Sequence, residues 1–161
     1  MKRAIVQPAD MSGAPLDELK QWLGISRDAE NSLLIGLLQT SLEFCEAFTG
    51  LIPLEMTCEE TLPAGRQWTK LSAGPVRAIT AVELVGPDNA RSTLPISGYE
   101  LEIDSDATGS VRLKTATSSD LVVAVYVAGL AADWIVLPAA LRHGIIRLAA
   151  HHYLARDKSD D

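Results

Sequence analysis

Cysteine is scarce in this sequence: Cys45 and Cys58 are the only two among 161 residues. A small disulfide-rich secreted protein needs several bridges, and a structural zinc site needs its ligands in closely spaced pairs. Two isolated cysteines fit neither class of protein. We therefore predict two free thiols in a protein of a reducing compartment.

Basic residues are also in the minority, with 14 Lys and Arg against 21 Asp and Glu and a formal charge of −7. Proteins that bind nucleic acid electrostatically cluster Lys and Arg against the phosphates. The charge balance therefore argues against a protein that grips DNA or RNA.

Long apolar segments without interruption are missing. The opening residues MKRAIVQPAD lack the apolar run of a signal peptide. The stretch from Leu121 to Leu141 has the length of a membrane span, but Asp133 lies near its middle and Gly129 and Pro138 interrupt it. Its first half is β-branched, which favours a buried strand, then a turn and the start of a helix.

Catalytic and cofactor motifs are absent as well. The sequence contains no G-x-x-x-x-G-K-[ST], G-x-G-x-x-G, G-x-S-x-G or H-E-x-x-H, the patterns of phosphate loops, dinucleotide sites, hydrolases and zinc peptidases. We predict no catalytic residue and no cofactor.

Helical periodicity marks both ends of the chain. PLDELKQWLG places three leucines on one face and ends at Gly24, and the segment from Ser26, a candidate N-cap, to Gly50 carries a second apolar stripe. The stripe consists of Leu34, Leu37, Leu38, Ser41, Cys45 and Phe48. A last helix begins at Pro138, with Leu141, Ile145, Leu148, Ala149 and His152 on its apolar face.

The middle of the chain has the composition of strands. Short segments rich in Val, Ile and Thr alternate with Gly- and Pro-containing turns, which predicts an antiparallel meander. We therefore predict an α+β fold and a single domain over residues 1–161. It is a small helical bundle, with helices over about 15–50 and 138–156, and a β-rich insertion over about 54–128.

The histidines near the C-terminus raise the question of a metal site. His151 and His152 are adjacent, so on a helix they point about 100° apart and do not converge on one ion. His143 lies two turns away from His151. We predict no metal site, with His152 half-buried and the other two histidines in solvent.

The order of these segments resembles the head-to-tail connector, or adaptor, proteins of long-tailed phages and gene transfer agents. The resemblance spans residues 16 to 157 and consists of several short motifs. They are Leu16, Lys20 and Leu23; Glu46, Thr49 and Gly50; Gly74 to Val76; Tyr126 to Gly129; Pro138 to Arg142; and His151 to Arg156.

The resemblance implies a structural protein of the virion neck, assembled in the bacterial cytoplasm and without an active site. It implies a ring of about twelve copies under the portal protein, with a tail-side stopper or neck protein on the other side and no membrane contact. DNA would pass through the ring without specific binding, as an acidic surface favours.

The C-terminal segment is the portal-docking element that the resemblance implies. From about Tyr153 onward it is polar enough to stay disordered without a partner. The residues predicted to make the contact are Tyr153, Arg156, Asp157 and Lys158. Two other classes stay open: a small cytosolic enzyme with an unrecognised pocket, and a regulatory protein-binding module with an exposed apolar patch.

Overall fold

The computed structural model describes residues 2–156 of the chain. It contains three helices and antiparallel sheets, which confirms the α+β class. The chain forms two compact units, one of residues Met1–Pro8 and Glu55–Leu130, the other of residues Ala9–Leu54 and Ala131–Asp161. The first is the β unit and the second is the helical unit. That the two act as one connector domain stays a prediction.

The helical unit is built from α1 (Ala14–Leu23), α2 (Asn31–Thr49) and α3 (Ala139–Ala155). Gly24 and Gly50 end the first two helices in the left-handed conformation, at φ 69° and 74°. A residue with a Cβ is disfavoured there, and each glycine donates its N–H to a carbonyl of the preceding turn. Both predicted helix ends are confirmed.

The predicted N-cap of the second helix is wrong. The helix begins at Asn31, not near Ser26, and Glu30 occupies the N-cap position without a capping side-chain bond. Asp28 instead accepts hydrogen bonds from the Lys20 ammonium group at 2.8 Å and from the Asn31 amide at 3.3 Å. These bonds hold the link between α1 and α2 in a turn.

The β unit contains two antiparallel sheets. The strands are β1 (Lys2–Gln7), β2 (Met56–Pro63), β3 (Thr69–Lys70), β4 (Val76–Val85), β5 (Arg91–Thr93), β6 (Tyr99–Ile103), β7 (Gly109–Leu113) and β8 (Leu121–Ala128). The strand orders are β1-β2-β8-β4-β5 and β3-β7-β6. The predicted meander is therefore wrong, because β8 pairs with both β2 and β4. Its nearly continuous apolar sequence suits that central position.

Strand β1 was not predicted. It pairs with β2 at the edge of the larger sheet, and almost all of its residues are exposed. Without a buried face, its sequence shows no alternation of apolar and polar residues.

Strand β2 buries a carboxylate. Its alternate residues Met56, Cys58, Glu60 and Leu62 all point inward. Glu60 is 0% exposed, and its Oε2 accepts hydrogen bonds from the Tyr126 hydroxyl at 3.0 Å and the Ser72 N–H at 2.9 Å. Burial, followed by the charge of Glu60, raises the pKa of Tyr126 well above its ordinary value, so the hydroxyl remains a donor.

The stretch from Leu121 to Leu141 folds as the sequence predicts. Leu121–Ala128 is a buried strand, Gly129 and the residues after it turn, and α3 starts after Pro138. Among the residues that the structure describes, no helix is long and apolar enough to cross a membrane. Neither Cys45 nor Cys58 forms a disulfide bond within the described residues, in agreement with the prediction of two thiols.

Candidate docking site at the end of the last helix

Helix α3 presents its predicted face to the core of the helical unit. Ile145 and Ala149 are buried, and Leu141, Leu148 and His152 are half-buried. This burial fixes the rotation of the helix, and with it the directions of the side chains near its C-terminal end.

The predicted docking residues lie partly within the described chain. Tyr153 is in the last turn of α3, and Arg156 directly follows the helix. Asp157 and Lys158 lie outside the described residues. The helix extends through Ala155, close to the predicted end at about 156, so Tyr153 to Ala155 are helical and not disordered.

The two described residues of the predicted docking set bind the same carboxylate. The Tyr153 hydroxyl donates a hydrogen bond to Glu30 Oε2 at 2.8 Å, and an Arg156 Nη donates to Glu30 Oε1 at 2.7 Å. The Arg156 guanidinium also lies over the Tyr153 ring, 4.1 Å from its centroid, a cation–π arrangement. We call Glu30, Tyr153 and Arg156 the latch.

The latch joins the end of α3 to the residue that precedes α2. The hydrogen bond from Arg156, followed by that from Tyr153, lowers the pKa of Glu30 below its ordinary value. The carboxylate is therefore ionised at neutral pH. Because both partners are hydrogen-bonded within the chain, a partner protein that takes either side chain must open the latch or bind the three residues together.

The other basic residues of α3 differ in their surroundings. An Arg142 Nη donates to the Ile135 carbonyl at 3.2 Å, so this side chain supports the loop before the helix. Arg147 is exposed, and no ion pair joins it to another residue of the range 2–156. Arg147 is thus the basic residue of α3 that is placed to meet an external acidic group.

The histidines have the predicted exposure. His152 is half-buried and stacks on Phe44 with ring centroids 5.7 Å apart, whereas His143 and His151 are exposed. The rings of His143 and Trp22 are nearly perpendicular, with their centroids 5.2 Å apart. Within residues 2–156, no group of three or more potential ligands is arranged to hold a metal ion.

A groove runs between α2 and α3. Its volume is about 340 Å³, and its lining includes Ser41, Phe44, Cys45 and Phe48 on one side and Leu141 and Ile145 on the other. No charged residue is in the lining, and burial raises the pKa of the Cys45 thiol, which disfavours the nucleophilic thiolate. The groove is therefore better suited to an apolar contact than to a catalytic site.

Two features of this region escaped the sequence analysis. Phe48, in the last turn of α2, is 94% exposed instead of buried with the α2 stripe, and it lines the open groove beside α3. Glu30 is far from Tyr153 and Arg156 in the sequence. No local pattern links an acid before one helix to the end of another.

Comparison with solved structures finds chains of the same fold. A chain in the neck of the empty gene transfer agent (GTA) particle, computed with C6 symmetry, has a TM-score of 0.77 and 23% identity. A chain in the neck of the native GTA particle, computed with C12 symmetry, has a TM-score of 0.75 and 24% identity. A chain in the virion of the native GTA particle has a TM-score of 0.73 and 23% identity.

Each of these superpositions covers 96% of this chain and 84% of the other chain. The resemblance predicted from the sequence is confirmed at the level of the fold. No protein-family model matches the sequence, and no curated protein matches it.

Proposed function

We propose that the chain is a structural neck protein of a phage or gene transfer agent, a connector that joins the DNA-filled head to the tail. The observation that carries this proposal is the similarity of fold, over nearly the whole chain, to chains in the necks of GTA particles. In this role the chain forms a ring, and the C12 symmetry used for one of those necks supports about twelve copies.

The C-terminal end of the chain docks on the portal protein, and the opposite end of the ring receives the tail-side neck protein. Tyr153, Arg156, Asp157 and Lys158 make the portal contact. Tyr153 supplies an aromatic anchor, and Arg156 supplies a planar guanidinium that pairs with carboxylates. Both side chains lie together at the end of α3, which supports a shared contact with one partner.

The ring is a passive channel for DNA. The chain carries a net charge of −7, and a wall of like charge repels the phosphate backbone. The role is structural and not catalytic, in agreement with the apolar lining of the α2–α3 groove.

A genetic experiment tests this function. The gene for the chain is deleted from the phage or element that encodes it, and particles are examined by negative-stain electron microscopy. We expect DNA-filled heads and separate tails, with joined particles restored by the wild-type gene in trans. Joined particles at normal frequency without the gene would refute a connector role.

A further inference from the structure

Helix α2 exposes two aromatic side chains where they line the α2–α3 groove, and an acidic side chain next to them in the sequence. Phe44 is 53% exposed and Phe48 is 94% exposed, and the exposed acid Glu43 directly precedes Phe44. The helix has no Lys or Arg. Large exposed aromatic side chains grouped on one surface are typical of a protein–protein contact. We call Glu43, Phe44 and Phe48 the α2 face.

Helix α3 has the opposite charge on its solvent side. It contains Arg142 and Arg147 and no Asp or Glu. His143 and Arg147 are four positions apart, so they lie on the same side of the helix. Trp22 of α1, 53% exposed, contacts the ring of His143. We call Trp22, His143 and Arg147 the α3 face.

The two faces are separate surfaces of the helical unit. His143 lies two positions from Leu141 and Ile145, which line the groove toward α2, and two positions on an α-helix are about 200° apart. The α3 face therefore points away from the side of α3 that meets α2. The α2 face and the α3 face therefore do not contact each other within a single copy.

One charged residue of each face lacks a partner within the described chain. Neither Glu43 nor Arg147 forms an ion pair or side-chain hydrogen bond with any residue of the range 2–156. A contact between two copies would supply the partner for both and would bury the exposed aromatic residues beside them.

We infer that neighbouring copies of this chain contact each other head to tail, with the α2 face of one copy on the α3 face of the next. The inference rests on the proposed ring, since a contact between two different surfaces repeats around an axis and closes into a ring. Phe44, Phe48 and Trp22 form the apolar centre of the contact, and Glu43 pairs with Arg147 across it.

Charge reversal tests this contact on the full-length protein in solution. Self-association is measured by sedimentation velocity up to about 1 mM protein, for wild type, Glu43→Arg, Arg147→Glu and the double variant. Each single reversal places like charges together, and we expect it to weaken association at least about tenfold. The double variant, and an equimolar mixture of the two single variants, restore it because each opposite-charge pair forms again between copies.

Matched reversals on the β unit are the controls. Glu102 and Lys114 are exposed and carry no side-chain bond within the described chain, and Glu102→Arg and Lys114→Glu change the net charge as Glu43→Arg and Arg147→Glu do. We expect both controls to associate like wild type. Circular dichroism melting curves check that all variants fold.

Three results would overturn the inference: wild type that stays monomeric at the highest concentration, single reversals that act no more strongly than the controls, or a double variant that stays as weak as the singles. The outcome is independent of the deletion experiment. If the double variant restores association but deletion of the gene leaves head–tail joining unaffected, the neck role is refuted and the contact stands. If deletion abolishes joining but the double variant stays as weak as the single variants, the contact is refuted and the neck role stands.

Discussion

The Tyr126 hydroxyl donates a hydrogen bond to a Glu60 carboxylate oxygen 3.0 Å away, and both side chains are 0% exposed. The second oxygen, Glu60 Oε1, is buried and has no hydrogen-bond partner among residues 2–156. The carboxylate therefore depends on Tyr126 and the Ser72 N–H for its solvation.

We expect Tyr126→Phe to lower the free energy of unfolding by about 2 kcal/mol, the scale of losing a hydrogen bond to a buried charged group. Urea denaturation measures this change. Tyr99→Phe is the control, since Tyr99 is also buried in the β unit and its hydroxyl has no hydrogen bond within residues 2–156. A change of less than about 0.5 kcal/mol is expected there, and equal effects of the two substitutions would contradict this account of Glu60.

Protonation of Glu30 should break the latch at low pH. Its pKa in the folded chain lies below the ordinary value, so the stabilisation from the latch is fully present above about pH 4.3. It is lost as the pH falls through the lower folded-state pKa. We expect the ring signals of Tyr153 in nuclear magnetic resonance spectra to shift with a midpoint below pH 4.3 and the shift to disappear in Glu30→Gln. A midpoint above the ordinary value would show that the latch does not form.

Removal of the C-terminal tail separates docking from folding. A chain truncated after Leu154 loses Arg156 from the latch but keeps the buried Ile145 and Ala149. Because exposed ion pairs contribute little to stability, we expect the melting temperature to fall by only a few degrees while heads fail to join tails.

The full-length Glu30→Gln variant is the control for this truncation, since it weakens the latch and keeps every residue of the tail. Joining should persist with Glu30→Gln and fail with the truncated chain. Truncated protein that still yields joined particles at normal frequency would show that the tail is not the docking element.

The acidic charge predicts weak binding to DNA. We expect a Kd weaker than about 1 µM for duplex DNA at physiological salt, in the range of non-specific binding or beyond it. Fluorescence anisotropy with a labelled duplex measures this affinity. Submicromolar binding would be incompatible with a passive channel.

Local sequence signals predict the helices and the central strand well. Gly24 and Gly50 end their helices where the sequence places the ends, because the left-handed conformation is a local property. The apolar run of β8 likewise requires burial wherever the strand lies.

Features that depend on contacts between distant segments could not be predicted in this way. The pairing of β8 with both β2 and β4, the exposed edge strand β1 and the latch at Glu30 each join segments that are far apart in the sequence. Glu60 occupies an inward position in the alternation of β2. Burial of a carboxylate there could not be predicted, because its hydrogen-bond partner Tyr126 lies on a distant strand. The docking roles of Asp157 and Lys158, outside the described residues, stay a prediction.

Cryo-electron microscopy of joined particles is the most direct test of the central claim. The chain is expressed with a small N-terminal tag, particles are purified by gradient centrifugation and then incubated with a tag-specific Fab fragment, and the neck is reconstructed. The account predicts a ring of this chain between the portal and the tail, with Fab density at regular angular intervals around the DNA channel. A neck whose density at that level belongs to another protein, with no Fab bound, would contradict it.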